Sequence, residues 1–281
     1  MKDIMNKLKL ARIQTLSLDC GLGKMGTKKQ LIAGVCEARR EVGRSKRILS
    51  IDMGVRNLAF CKLNLLAVQQ PKVERWSVME LDEMRFDQPH FGRMAVDLLK
   101  DIELDAVDTI LIERQRMRSN GLRNVPEWIV RVNLLEAMIH ALLQSHLDRR
   151  DYDYTVLSIL PSRVMNYWIR PATPTVAANP NARYRLTKTA KVDLVSAWLN
   201  QDYTRPFTLG PNAARTMDSL KKKDDLADAL LQALAWAQWD NNLHLLQNNP
   251  DTSEDLDHLI NQMESQYFDS LPTSPPSLLS R

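Results

Sequence analysis

The order in which hydrophobic periodicity changes between residues 47 and 161 constrains this chain more than any other feature. Arg47-Ile48-Leu49-Ser50-Ile51-Asp52-Met53-Gly54 is a short β-rich run that ends in an aspartate and a glycine. A tight turn separates it from a second apolar run, Asn57 to Leu63, and Lys72 to Leu81 alternates its side chains as a third strand does. Three consecutive strands predict an antiparallel meander. A helix from about Pro89 to Ile102 follows, with Met94, Val96, Leu98 and Leu99; then Val107 to Glu113 reads as a buried strand that stops at a glutamate. A long helix over 125–147 carries an apolar stripe of Trp128, Ile129, Val132, Leu135, Ile139 and Leu143, and Tyr154 to Pro161 is a fifth strand. The order β, β, β, α, β, α, β predicts an α/β fold with a five-stranded mixed sheet flanked by helices. Two further helices are expected over 189–200 and 222–239, with 170–188 between the strands and those helices read as a mobile, proline-bearing loop.

Within this pattern four acids occupy costly places. Asp52 lies inside an apolar strand, Glu113 ends another, and Asp225 and Asp228 sit on a helix otherwise built of Leu and Ala. An isolated carboxylate buried while charged costs several kcal/mol, so something positive belongs near them. The Asp225-Leu226-Ala227-Asp228 spacing puts both acids on one helical face, and Asp224 forms an i, i+4 pair with Asp228. Strand carboxylates combined with a helix pair can hold two hard divalent cations, Mg²⁺ or Mn²⁺, through oxygen ligands. Each acid also has an ordinary reading: Asp52 as a turn former, Glu113 as a partner of Arg114, and the aspartates as a charged first turn beside Lys221, Lys222 and Lys223.

Three stretches, SIDMGVRNLAF, LIERQRMRS and KKKDDLADALLQALAW, resemble the acidic motifs of the fungal mitochondrial Holliday junction resolvases, cruciform-cutting relatives of bacterial RuvC. The likeness spans roughly residues 47–240 and implies an RNase H-like fold. It implies that Asp52, Glu113, Asp225 and Asp228 are the metal-binding catalytic set, with Asp52 as the bridging ligand. The doubled Asp224-Asp225 leaves the register open, since Asp224 with Asp228 would also face one side. The implied reaction is paired hydrolysis of a four-way junction, leaving 5′-phosphate and 3′-hydroxyl nicks, by a homodimer in mitochondria, without a small-molecule cofactor or a membrane. Another RNase H-like nuclease acting on an RNA·DNA hybrid and a non-catalytic junction-binding protein are the alternatives.

Charge is unevenly distributed. The net of +4 separates into +8 over residues 1–47, +2 over 48–239 and −6 over 240–281. Residues 1–43 read as a basic helix-turn-helix, and GLGKMGTKKQLIAGV resembles the SAP motif, a small DNA-binding module; Lys28 and Lys29 are its candidate DNA contacts. A basic hairpin that only packs on the rest of the chain is the other reading. Arg114, Arg116, Arg118, Arg123 and Arg131 follow Glu113, and with Lys221, Lys222 and Lys223 they suit a phosphate backbone; a solvated basic helix face is the other reading. The segment 47–240 is expected to be the catalytic domain, and 241–281 an acidic, largely disordered tail with at most one short helix near Leu256 to Phe268 and a low-complexity end from Ser270 to Arg281. Trp128, Trp168, Trp198, Trp236 and Trp239 are expected in cores rather than as base-stacking platforms. Three well-separated cysteines exclude a disulfide scaffold and a thiolate zinc finger.

Overall fold

The computed structural model describes residues 1–41, 43–54, 56–67, 70–81, 86–115, 125–170, 180–200, 205–214, 223–248 and 250–272. The chain begins with α1 (Lys2–Lys7), α2 (Leu10–Asp19) and α3 (Lys28–Glu41). Next come β1 (Arg47–Met53), β2 (Asn57–Asn64), β3 (Lys72–Glu80), α4 (Gln88–Ile102), β4 (Thr109–Glu113), α5 (Glu127–Asp148) and β5 (Thr155–Ile159). It closes with α6 (Pro161–Trp168), α7 (Pro180–Asn200), β6 (Thr208–Leu209), α8 (Pro211–Ala214), α9 (Lys223–Asn248) and α10 (Ser253–Asp269). These elements group into two compact units, one of Lys46–Pro161 with Leu209–Ala233, the other of Met1–Ser45, Ser162–Thr208 and Leu234–Arg281.

The first unit is built on a mixed sheet in the order β5-β4-β1-β2-β3-β6. The expected meander is present, since β1 pairs antiparallel with β2 and β2 with β3. Parallel pairing then joins β4 to β1 and β5 to β4. The sheet has six strands rather than five. The extra one, β6, is two residues long at the edge beside β3, and next to it the Gly210 N–H donates to the Val73 carbonyl at 2.8 Å. Two residues carry no readable period, so the sequence could not announce it.

Alternation along the strands decides which side chains face which layer. Leu49, Ile51 and Met53 of β1 and Ile110 and Ile112 of β4 enter one core with Phe91, Leu98 and Leu99 of α4 and Val132, Leu135, Ile139 and Leu143 of α5. Each such side chain contributes roughly 1.5–3 kcal/mol on burial, so this face fixes the strands firmly. The helix α4 starts where the Asp87 carboxylate accepts from the His90 N–H at 2.8 Å and Pro89 occupies the first turn; it ends as Glu103 turns to φ 61°. On α5 the stripe holds from Ile129 onward, but Trp128 is 52% exposed, against expectation. It is in phase with the stripe, about 40° around the helix from Val132, but stands in the first turn of α5, at the open end of that stripe.

The second unit is helical. Met5, Ile13, Leu16, Leu31, Ile32 and Val35 share a core with Leu243, Leu246, Leu256, Ile260 and Met263. The tail expected to be largely disordered is more ordered than that over the described residues: α9 runs on to Asn248, and α10, behind a Thr252/Asp255 capping box, takes the place of the short helix expected near Leu256 to Phe268. Leu256, Ile260, Met263 and Tyr267 form a buried stripe that the polar composition of the segment disguised. Arg12 of α2 reaches Asp257 Oδ1 at 2.6 Å and Glu264 Oε2 at 2.7 Å on α10, so the basic N-terminal segment and the acidic C-terminal one are partners. Residues 273–281 lie outside the described residues.

Aromatic packing organises the rest of this unit. Trp168, Trp198 and Trp239 are buried as expected, Trp236 only partly. The Arg170 guanidinium lies 3.9 Å from the Tyr267 ring centroid and binds the buried Asp19 carboxylate. Burial pushes the Asp19 carboxyl up to about 6, with Arg170 opposing it. Of the expected loop 170–188, residues 180–188 form the start of α7, with Pro180 at its first position, where a missing N–H costs nothing; 171–179 lie outside the described residues. No helix among the described residues is long and apolar enough to cross a membrane. Cys20, Cys36 and Cys61 are buried free thiols.

Candidate active site

Register alone brings the two strand acids together. In the parallel β1·β4 pair Ser50 stands beside Leu111 and Ile51 beside Ile112, so the next step along both strands sets Asp52 beside Glu113. Both belong to the face opposite the α4/α5 core, because their neighbours Ile51, Met53 and Ile112 point into that core. On its other side Asp52 is registered with Ala59 of β2, the smallest side chain available short of glycine. A tight hairpin ends β1 directly after Asp52: the Gly54 N–H donates to the Asn57 carbonyl at 2.8 Å. A Cβ at residue 54 would fall 2.8 Å from that same oxygen, so the turn admits only glycine.

The helix pair comes from the first turns of α9. Leu226, Ala227, Ala229, Leu230 and Leu231 are fully buried, while Asp225 and Asp228 keep partial exposure. Two hydrogen bonds tie this turn to the sheet. The Trp76 indole N–H donates to the Leu226 carbonyl at 2.9 Å, and Asn57 Nδ2 lies 3.5 Å from Asp225 Oδ2. One turn further on, the buried Gln232 amide reaches Ser50 Oγ at 3.0 Å.

The electrostatics report a crowded acid cluster. Burial first, then Glu113, Asp228 and Asp225, hold the Asp52 carboxyl well above the usual carboxylate range, and Asp52 shares a hydrogen bond with Glu113. Such a set favours a bound cation, which would offset the mutual repulsion that raises the Asp52 pKa. Among the described residues no three His, Cys, Asp or Glu side chains close into a metal cage as they stand. Asp224 stands in the first turn of α9, about 100° around the helix from Asp225.

The candidate DNA contacts are less gathered. Arg114 is exposed directly after Glu113, and its N–H continues the sheet by donating to the Ile159 carbonyl at 2.8 Å. Lys223 is exposed at the start of α9. Arg116, Arg118, Arg123, Lys221 and Lys222 lie outside the described residues. In the helical unit, Lys29 is exposed on α3, and Lys28 Nζ donates to the Asn6 carbonyl at 2.6 Å. Arg131, a further arginine of the run, is bound to Glu127 at 2.5 Å and lies 5.0 Å from the Phe86 ring centroid.

Sequence reasoning missed Asn57, Trp76 and Gln232. Gln232 had a readable signal, a lone amide in Asp228-Ala-Leu-Leu-Gln-Ala-Leu-Ala235. Asn57 and Trp76 had none, since their roles depend on how the strands pair.

Comparison with known proteins points one way. A family model described as mitochondrial resolvase Ydc2 / RNA splicing MRS1 matches residues 48–214, which include Asp52 and Glu113 and stop short of α9. The mitochondrial cruciform cutting endonuclease 1 of Schizosaccharomyces pombe is 26% identical over 250 residues, covering 84% of this chain and 93% of that protein. Its namesake from Saccharomyces cerevisiae is 26% identical over 270 residues, covering 75% of each. The crystal structure of the yeast mitochondrial Holliday junction resolvase Ydc2 superposes with a TM-score of 0.65 at 25% identity, covering 85% of this chain and 97% of that one.

Proposed function

The chain belongs to the mitochondrial resolvase Ydc2 / RNA splicing MRS1 family, and we propose that it is a mitochondrial endonuclease that resolves four-way DNA junctions by metal-dependent phosphodiester hydrolysis. The fold is RNase H-like, as the shared architecture with the Ydc2 resolvase indicates. The observation that carries the reaction is the convergence on Asp52 of Glu113, Asp228 and Asp225, drawn from two strands and one helix.

These four residues would hold two Mg²⁺ or Mn²⁺ ions, with Asp52 between the other three. Asp225 is taken over Asp224 because the Asp225 charge acts on Asp52 and its Oδ2 lies 3.5 Å from Asn57 Nδ2 at the start of β2. Bound there, the ions would lower the pKa of an attacking water and stabilise the leaving 3′ oxygen, giving 5′-phosphate and 3′-hydroxyl ends. The chain's own part is to gather acids that repel one another and to keep the helix pair at a fixed distance from the strands. Arg114 and Lys223, exposed next to Glu113 and Asp225, are placed to take phosphates flanking the cleaved bond, with Arg116, Arg118, Arg123, Lys221 and Lys222 continuing their runs. Residues 1–43, with Lys28 and Lys29, would add a second, SAP-like grip on DNA.

Resolution needs two nicks placed symmetrically, which a two-fold dimer supplies. Val125 and Trp128, 44% and 52% exposed at the start of α5, are an apolar surface fit for such pairing. The family description also covers RNA splicing; an acid cluster of this strength favours cleavage, because without cations it is only a liability. The test compares a four-way junction, a linear duplex and an RNA·DNA hybrid as substrates in Mg²⁺ and in EDTA. Cleavage of the junction alone, in paired nicks and only with Mg²⁺, is the expected result. Preferential cutting of the hybrid would assign the chain to another branch of nucleases.

A further inference from the structure

Behind the acid cluster the same helix face carries one more polar side chain. Asp225, Asp228 and Gln232 are spaced i, i+3, i+7, so all three lie along one stripe of α9. On the strands, Ser50 and Leu111 stand two residues behind Asp52 and Glu113, on the same face of the sheet. Gln232 is only 2% exposed, and its Nε2 lies 3.0 Å from Ser50 Oγ, 3.3 Å from the Ile51 carbonyl and 3.4 Å from the Leu111 carbonyl. Two of these three acceptors are backbone oxygens that can only accept, so the NH₂ end of the amide must face them. One side chain on the helix thus grips both acid-bearing strands at once.

The spacing explains why this position matters. Four residues of helix advance about 6 Å and two residues of strand about 6.6 Å. The layer formed by Gln232, Ser50 and Leu111 therefore repeats the layer formed by Asp228, Asp52 and Glu113, one step deeper in the protein. Apolar contacts alone do not fix the sliding or rotation of a helix lined with Leu and Ala, because they are non-directional. A buried amide with three fixed acceptors does. On the other side of Asp228, the Trp76 bond to the Leu226 carbonyl restrains the same helix from β3.

We propose that Gln232 is a positioning residue for the reaction: by bonding Ser50, Ile51 and Leu111 it sets the height and rotation of α9, and so the distance from Asp225 and Asp228 to Asp52 and Glu113. The proposal rests on the metal-dependent reading above. Its consequence is that loss of the amide weakens cation binding without touching an acid or a DNA contact. Removing such a supporting partner typically costs about 10–100-fold in metal affinity or activity.

The test uses the full chain carrying Gln232→Met, which keeps volume and removes the amide, and Ser50→Ala, which removes the nearest acceptor with little loss of bulk. Mn²⁺ binding is titrated on the DNA-free protein by electron paramagnetic resonance, and the Mn²⁺ concentration for half-maximal junction cleavage is measured alongside the unfolding temperature. Both variants are expected to bind junction DNA in EDTA as wild type does. Gln232→Met is expected to need roughly 10-fold more Mn²⁺ in both assays, with cleavage recovering at saturating Mn²⁺. Ser50→Ala should shift the same way but less, and should add little in the double variant. If Gln232→Met does not fold, Ser50→Ala alone decides. Wild-type Mn²⁺ requirements in the variants, whatever their unfolding temperatures, would overturn the positioning role while leaving the function intact. A wild-type chain that neither binds Mn²⁺ nor cuts the junction would overturn the functional reading, and this proposal with it.

Discussion

Replacing Asp52 by Asn should make the metal-free protein more stable while abolishing its activity. Glu113, Asp228 and Asp225 all act on Asp52, and its carboxyl is held well above the usual range by burial and by those three neighbours. Two full charges about 5 Å apart repel by roughly 3 kcal/mol at an effective dielectric near 20. The wild-type chain meets this repulsion with a raised Asp52 pKa, which costs it stability as pH rises. Asparagine carries no charge, and keeps the shape and a donor toward Glu113. Relieving an active-site liability of this kind is worth about 0.5–2 kcal/mol, or roughly 1–8 °C in a unit of this size. The folded protein binds the Asp52 proton more tightly than the unfolded chain does, so wild-type stability from this group is greatest at acid pH and falls as pH rises. The advantage of Asp52→Asn should therefore widen as pH rises above the ordinary carboxylate range. Added Mg²⁺ should reverse the order, raising the wild-type unfolding temperature and leaving the variant nearly unmoved. Calorimetry in EDTA and in Mg²⁺, paired with a junction cleavage assay, reads all of this. Equal stability in EDTA at neutral pH, or retained cleavage, would refute the reasoning.

Three other perturbations bear on separate parts of the molecule. Gly54→Ala sets a methyl 2.8 Å from the Asn57 carbonyl, and the resulting shift of the hairpin should cost about 1–3 kcal/mol in urea unfolding and raise the Mg²⁺ requirement of cleavage. Ending the chain at residue 240 removes Leu243, Leu246, Leu256, Ile260 and Met263 from the core they share with α1 to α3; hydrogen exchange over residues 1–41 should become fast, whereas a merely solvating tail would leave it unchanged. Asp19 titrates near 6 in the folded protein, raised by burial, so the stability it contributes is fullest at acid pH and is lost as pH rises through about 6. Asp19→Asn gives up the ion pair with Arg170 but keeps an oxygen to accept from it, and its unfolding temperature should improve relative to wild type as pH rises; parallel pH curves would contradict this.

Most of the sheet was legible because its strands differ in period and end on punctuation. Gly54 closes β1, Asp87 and Pro89 open α4, and Glu113 ends β4, all within a residue or two of the expected places. What failed did so for identifiable reasons. After residue 240 the polar, acidic average supports no more than one short helix near Leu256 to Phe268, yet α9 runs on to Asn248 and four apolar residues of α10 pack once α1 to α3 supply the other half of the core. Trp128 belongs to the expected stripe by phase, about 40° from Val132, yet it is exposed because it stands in the first turn of α5, at the end of the stripe. Composition misled in the first case, and in the second phase could not tell where along the helix the core begins.

The acids themselves were legible for an energetic reason, and the same reason extends to Gln232. A charge in an apolar run is expensive, so its survival demands a partner, and four such demands converge only if the strands and helix meet. An amide is cheaper to bury than a carboxylate but still costs about 1–3 kcal/mol unless bonded. Gln232 therefore poses the same question as Asp228, in weaker form, on the next turn of the same stripe. Its answer depends on pairing register, because only the β1·β4 alignment puts Ser50 and Leu111 side by side beneath it. Sequence can thus state that α9 carries a third buried polar contact and on which face. Only the sheet determines that this contact lands on both acid-bearing strands, which turns a satisfied core amide into a part of the site.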